Sequence, residues 1–220
     1  MTRRLLIVGA GGHARVVIEA ARAAGFDPVA AVDARVRGDV LGVPVRGTDD
    51  DVASLWASGE FDAVAVAIGD NRVRHCHATA LRRMGCPTPA IVHPRALVSP
   101  TAEIGEGTTV MVNAVVNASA KIGRDCLVNT AAVVEHDCLL DHAVHVAPGS
   151  VMGGGCSIGS LTLFGIGAVA RQGVRIGSGV TIGAGTVVVS DIPDGWVAVG
   201  TPARRRLPKQ DVQERSRSSV

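Results

Sequence analysis

From Val92 onward every sixth residue is apolar. The series runs Val92, Val98, Ile104, Val110 and onward through Ile176, Ile182 and Val188 without an insertion. The next position is repeatedly glycine, as at Gly105, Gly123, Gly153, Gly159, Gly165, Gly177 and Gly183. Four residues after each anchor the side chain is usually small: Ala, Thr, Ser, Cys or Val. A period of six fits neither an amphipathic helix nor simple strand alternation. It predicts a left-handed parallel β-helix of hexapeptide repeats, in which each hexad makes one short strand and one tight corner. Three hexads close a triangular coil, so residues 92–188 suffice for roughly five to six coils. The anchor points inward, the small residue packs beside it, and the glycine is expected to supply the corner's backbone geometry.

The first ninety residues follow other periods. Arg4 to Val8 reads as a buried strand and Gly9 to Gly12 as a turn. The spacing predicts a helix from His13 to Ala24, with Val16, Val17, Ala20, Ala21 and Ala24 on one face and Gly25 closing it. Val29 to Val32 reads as a second strand ending at Asp33, and Ala63 to Ile68 as a third. A second helix is expected from Asn71 to Met84, closed by Gly85. Alternating strands and helices imply a small parallel sheet covered by helices. Pro87 and Pro89 mark the change of period. The expected organisation is α/β followed by β: a Rossmann-like domain over 1–88, the β-helix over 89–207 and a polar tail over 208–220.

Composition agrees with a narrow, repetitive interior. Hydrophobic residues make up 47% of the 220, yet aromatics only 2%, with no Tyr, so Val, Ile, Leu and Ala must fill the core. The net charge of +2 calls for neither nucleic acid nor an anionic membrane. No apolar run reaches the ~20 residues that span a bilayer. The five cysteines form no C-x-x-C pair and read as reduced thiols of a cytoplasmic protein. Cys126, Cys138 and Cys156 all fall on the small interior position, which makes them packing residues.

Gly9-x-Gly11-x-x-Ala14 follows a strand and opens a helix, and Asp33 ends the next strand, an arrangement like a dinucleotide fingerprint. The unit is half the size of a full dinucleotide domain, and nothing downstream offers a partner for hydride chemistry. What survives is the anion preference of free N–H groups at a helix start, which suits a nucleotide or sugar phosphate. His13 stands in that turn. His75, His77 and His93 read as surface or packing residues. Three histidines cluster in Glu135-His136-Asp137 and Asp141-His142-Ala143-Val144-His145. In a three-hexad coil His136 and His142 fall on different faces, so they do not share a metal within one chain, and no metal is expected. A general base is the more natural use of His136, with Glu135 or Asp137 to orient it.

These motifs together resemble the bacterial NeuD/PglD-like family of sugar O- and N-acetyltransferases over about residues 3–206. The resemblance rests on Ile7-Val8-Gly9-Ala10-Gly11-Gly12-His13-Ala14, on Ala67-Ile68-Gly69-Asp70-Asn71, on Asn129-Thr130 with Val134-Glu135-His136-Asp137, and on Gly200-Thr201-Pro202-Ala203-Arg204. It implies acetyl-CoA as co-substrate and a nucleotide-sugar acceptor, held by a homotrimer with sites between subunits. His136 aligns with the family's base, and Asp137 with the acid beside it, commonly the longer Glu. His145, Gly154, Ile166 and Ala184 align with positions that contact acetyl-CoA. Gly11, Gly12, His13, Asp33 and Gly69 fall where relatives hold the acceptor's nucleotide part. The implied reaction is N-acetylation of a UDP- or GDP-linked 4-amino-4,6-dideoxy sugar. O-acetylation of sialic acid or another sugar is the first alternative, and a zinc-binding or non-catalytic β-helix protein the second. His136 and His145 are expected on one triangular edge, where a neighbouring subunit completes the site. Arg204 to Arg206 could reach CoA phosphates or simply be a solvated end.

Overall fold

The computed structural model describes residues 2–206; the polar tail predicted for 208–220 lies outside the described residues. A small N-terminal α/β domain precedes a parallel β-helix. Strand β1 (Arg3–Val8) is the centre of a three-stranded parallel sheet, flanked by β2 (Phe26–Val32) and by Ala63–Val66. Strand β2 starts earlier than its hydrophobic run suggests. Pro28 lacks an N–H and sits on this edge strand, where the register slips between Leu5 and Leu6, so the strand continues past it as an irregularity.

Helix α1 (Gly12–Ala23) covers this sheet with Ala14, Val17, Ile18 and Ala21. Val16, expected on the buried face, is 42% exposed. It turns instead toward a cleft with His93, Met111 and Thr130 of the β-helix. A short helix, α2 (Val52–Ala57), was not anticipated, although its signal is present: Thr48 and Asp51 form a capping box immediately before it. Helix α3 (Asn71–Arg83) starts at Asp70, whose side chain accepts the Val73 N–H at 2.9 Å.

The β-helix has three faces of two-residue strands. Face 1 carries Ile91–Val92, Thr109–Val110, Leu127–Val128, His145–Val146, Leu163–Phe164 and Thr181–Ile182. Face 2 carries Leu97–Val98, Val115–Val116, Val133–Val134, Val151–Met152, Val169–Ala170 and Val187–Val188. Face 3 runs from Glu103–Ile104 to Arg175–Ile176. Each strand pairs with the one eighteen residues on, as Val115 with Val133, so three hexads make a coil. The second residue of each strand is the apolar anchor, and from Val110 to Val188 every anchor is buried. Cys126, Cys138 and Cys156 are buried inside.

The role expected for the repeated glycine needs correcting. The left-handed corner conformation falls three residues after the anchor, at Asn113, Ser119, Asp125, Ala131 and Asp137 and at Gly149, Gly155 and Gly167. The glycine directly after the anchor is needed for space. A Cβ on Gly105 would stand 2.6 Å from the carbonyl carbon of Gly123, one coil on.

The outward residues give the faces different characters. On face 1, Ile91 and Leu127 are buried in the core of the N-terminal domain. Face 3 presents Glu103, Lys121, Leu139, Ser157 and Arg175, with Lys121 Nζ 2.9 Å from Glu103 Oε1. Face 2 presents only Leu97, Val115, Val133, Val151, Val169 and Val187, and Leu97 is 66% exposed.

Several side chains of α3 tie the two domains together. Arg74 of α3 is 3% exposed and donates to the carbonyls of Ile68 (3.1 Å), Gly69 (3.0 Å), Asp125 (2.8 Å) and Ala143 (3.3 Å), and to Asn71 Oδ1 (2.8 Å). Arg82 grips both carboxylate oxygens of buried Asp125 at 2.6 and 2.7 Å, and His75 Nδ1 lies 2.8 Å from it.

Candidate active site

The corner between faces 1 and 2 is built largely from small residues. Ala147, Gly165 and Gly183 stack one coil apart, and Pro148, Ile166 and Ala184 follow them. They floor an open, largely apolar groove of about 600 Å³, which Gly69 of the N-terminal domain and Asn129, His145, Leu163 and Thr181 complete. The structure therefore brings together His145, Ile166 and Ala184, three of the four positions aligned with acetyl-CoA contacts, and adds Gly69. Asn71, Arg72, Leu161 and Gly179 line an adjoining cleft that also touches Gly69 and His145.

His145 projects outward from face 1. Its Nε2 lies 3.0 Å from Asn129 Nδ2. Burial, with Arg74 and then His13 nearby, pushes its pKa down to about 3. His13, in the first turn of α1, is pushed down to about 4 by burial and by Arg74. Both imidazoles are neutral at physiological pH. Gly11 and Gly12 are exposed at the start of α1, and Gly11, its N-cap, has no side-chain capping bond. The turn itself depends on Gly9 (φ 100°), where a Cβ would come within 3.0 Å of the Ala67 carbonyl oxygen.

Asp33 is turned to its own backbone. Oδ2 accepts the Ala10 N–H at 2.8 Å, and Oδ1 accepts those of Arg35 (2.8 Å) and Val36 (3.0 Å). Burial alone would raise its pKa, but these three donors and the Arg35 charge leave it below the ordinary carboxylate value.

His136 stands elsewhere, in the corner between faces 2 and 3. Its Nδ1 is 2.8 Å from Asp137 Oδ2. The Asp137 hydrogen bond, opposed by slight desolvation and aided by the charges of Asp137 and Glu135, raises its pKa above the ordinary imidazole value. Asp137 occupies the left-handed corner position (φ 59°), which aims its short side chain back at the ring. Glu135 is engaged by Asn117, whose Nδ2 donates to Oε2 at 2.9 Å.

Two expectations change here. In a three-sided prism the corner between faces 2 and 3 lies opposite face 1, so His136 and His145 do not share an edge. Six residues are a third of a turn, and these two histidines are nine apart. Gly154, aligned with an acetyl-CoA contact, lies beside His136 and away from the groove. A Cβ on Gly154 would fall 2.5 Å from His136 Cε1 and Nε2. Sequence reasoning also missed Arg74, whose signal was its place three residues after Asn71, and gave no role to Asn129.

A hexapeptide β-helix with an apolar groove on one corner and a carboxylate-backed histidine on another has the architecture of an acyltransferase. Comparison with known proteins narrows the class. Residues 4–81 match the family model of the PglD N-terminal domain. The chain is 43% identical to the acetyltransferase domain of PglB from Neisseria gonorrhoeae FA1090, whose structure holds acetyl coenzyme A; 94% of this chain and 100% of that one are covered, with a TM-score of 0.88. It is also 43% identical to perosamine N-acetyltransferase from Caulobacter crescentus, solved as a histidine-to-asparagine variant with CoA and GDP-perosamine (93% and 97% covered, TM-score 0.90). Among curated proteins, a 2,3,4,5-tetrahydropyridine-2,6-dicarboxylate N-acetyltransferase of Clostridium perfringens is 39% identical over 69 residues, which is 28% of this chain and 29% of that protein. The chain thus spans under a third of that relative. This chain belongs to the NeuD/PglD-like family of acetyl-CoA-dependent sugar acetyltransferases, built as a small α/β domain and a left-handed parallel β-helix.

Proposed function

We propose that this protein transfers an acetyl group from acetyl-CoA to the amino group of a UDP- or GDP-linked 4-amino-4,6-dideoxy sugar, as a cytoplasmic homotrimer with His136 as general base. The observation that carries the reading is that His136 and the groove occupy the two opposite edges of face 2, whose outward side is wholly aliphatic. Burying face 2 around a threefold axis parallel to the β-helix sets His136 of the partner subunit against the groove corner. The heights agree. Thr130, His136 and Pro148 hold the same place in their hexads, so His136 lies a third of a coil above Thr130 and two-thirds below Pro148. With coils ~4.8 Å apart, it arrives between the cleft against α1 and the groove.

The residues suit both substrates. The groove's glycines and apolar floor accept a thin, flexible thioester arm, which brings the acetyl group to be transferred. Gly11 and Gly12 offer N–H groups to a diphosphate at the start of α1, with His13 and Gly69 beside them. Asp33 braces that turn. His136 Nε2 takes the proton of the sugar amine as its nitrogen bonds the acetyl carbon, and returns a proton to the departing sulfur. Asp137 holds Nδ1–H and so presents Nε2 as the acceptor. Backbone N–H groups of the groove corner are placed to stabilise the charge developing on the acetyl oxygen. Cys86, Cys126, Cys138 and Cys156 are buried, and exposed Cys76 lines neither the groove nor the adjoining cleft, which favours direct transfer without a thiol intermediate.

CoA release from acetyl-CoA, measured with UDP- and GDP-linked 4-amino sugars and with free sialic acid, tests the reading. Turnover with a nucleotide-linked amino sugar and a loss of ~10^2–10^4 in His136→Ala are expected. Turnover only with sialic acid, or near-normal kcat in His136→Ala, would overturn it.

A further inference from the structure

The orientation of the Asn129 amide is decided by its neighbours. The backbone N–H of Thr130 donates to Asn129 Oδ1 at 2.8 Å. That leaves Nδ2 toward His145 Nε2, 3.0 Å away. An amide nitrogen offers hydrogens and no lone pair, so Nε2 is the acceptor and the proton of the neutral ring sits on Nδ1. Free imidazole side chains favour the other tautomer, so the protein imposes this one. No hydrogen bond to Nδ1 forms among the described residues, and His145 lines both the groove and the adjoining cleft.

We infer that Asn129 is a positioning residue that locks His145 as the Nδ1–H tautomer, making it a hydrogen-bond donor to the carbonyl oxygen of the acyl thioester. The assignment of that oxygen rests on the function proposed above; the tautomer does not. The low pKa of His145, about 3 from burial, Arg74 and His13, keeps the ring neutral throughout the working range. A neutral donor suits an oxygen that gains charge only as the reaction proceeds, because its own proton stays in place.

The test uses the full chain labelled with 15N-histidine, and His145→Gln identifies the His145 signals. The wild type is expected to show Nδ1 protonated and Nε2 bare. Asn129→Ala should move the proton mainly to Nε2. Asn129→Asp, which keeps the side-chain shape but presents only acceptors, should place a proton on Nε2 even if the alanine variant folds poorly. Asn129→Ala should also lower kcat/KM for acetyl-CoA roughly tenfold to hundredfold. The same change in a His145→Gln background should lower it less than about twofold. An Nε2–H tautomer in the wild type, or losses that simply add in the double variant, would refute the assignment. The expected tautomers in a protein that acetylates no sugar would support the Asn129 lock and remove the functional reading instead.

Discussion

Replacing Gly154 by alanine separates two roles for this position. An added Cβ would stand 2.5 Å from His136 Cε1 and Nε2, where ordinary contacts are ~3.5–4.0 Å, so the ring must retreat by about 1 Å. The backbone of Gly154 is outside the left-handed region, and its three nearest neighbours are all atoms of the imidazole. The His136 side chain is 62% exposed, so it retreats into solvent, and stability should change by no more than about 0.5 kcal/mol. Activity should not be so tolerant. A misplacement of ~1 Å in a reacting group costs on the order of 10^2, within the ~10^2–10^4 that a general base supplies. Steady-state kinetics at saturating acceptor, with a thermal melt of the same preparation, are the assay. The expected outcome is kcat reduced about 100-fold, with KM for acetyl-CoA and Tm nearly unchanged. A raised KM with kcat intact would show that Gly154 contacts acetyl-CoA, and would refute the argument that it only makes room for the base.

Three further outcomes are expected. Asp137→Asn removes the main cause of the raised His136 pKa. The base must be neutral to act, so the acid limb of the kcat/KM profile should move to lower pH while the plateau falls; an unmoved limb would count against the pair. Arg74→Met deprives four backbone carbonyls and Asn71 of their buried donor and should cost about 3–5 kcal/mol in urea unfolding, whereas a loss under about 1 kcal/mol would mean that the Asp125 contacts and packing hold the domains without it. Val133→Glu combined with Val151→Glu puts carboxylates on the aliphatic face and should yield inactive monomers by light scattering; an active monomer would contradict a site shared between subunits.

The register of the β-helix was legible because one short-range rule repeats without interruption. A face read from six-residue spacing needs no knowledge of distant contacts. Burial of Cys126, Cys138 and Cys156 follows from that rule alone, and so does the separation of His136 from His142. Where the outcome depended on elements meeting, the sequence was less informative. Val16 has helical spacing with the buried set, yet the β-helix leaves it facing a cleft. The glycine after each anchor looked like a turn residue because glycine commonly is one, while the real constraint is the next coil's backbone. Arg74 could be recognised only once α3 was placed against Asp125 and Ala143. The single edge drawn through His136 and His145 failed on arithmetic that the sequence already contained.

The corners show how one geometric demand can serve several purposes. The third position after each anchor is left-handed, a conformation that glycine, asparagine and aspartate accept most readily. On the corner between faces 1 and 2 the last three such positions are Gly149, Gly167 and Gly185, which keep the wall of the groove low. On the corner between faces 3 and 1 the position is Asp125, whose buried carboxylate receives Arg82 and His75 and so fixes the N-terminal domain over face 1. On the corner between faces 2 and 3 it is Asp137, whose carboxylate meets His136. Asp125 and Asp137 are twelve residues apart, two hexads, and therefore sit on different corners by the same rule that made the fold. Face 2 alone is left without a covering domain or charged residues. The N-terminal domain is thus fixed at one edge, the groove lies at the next, and His136 stands at the third, across the uncovered face 2 from the groove.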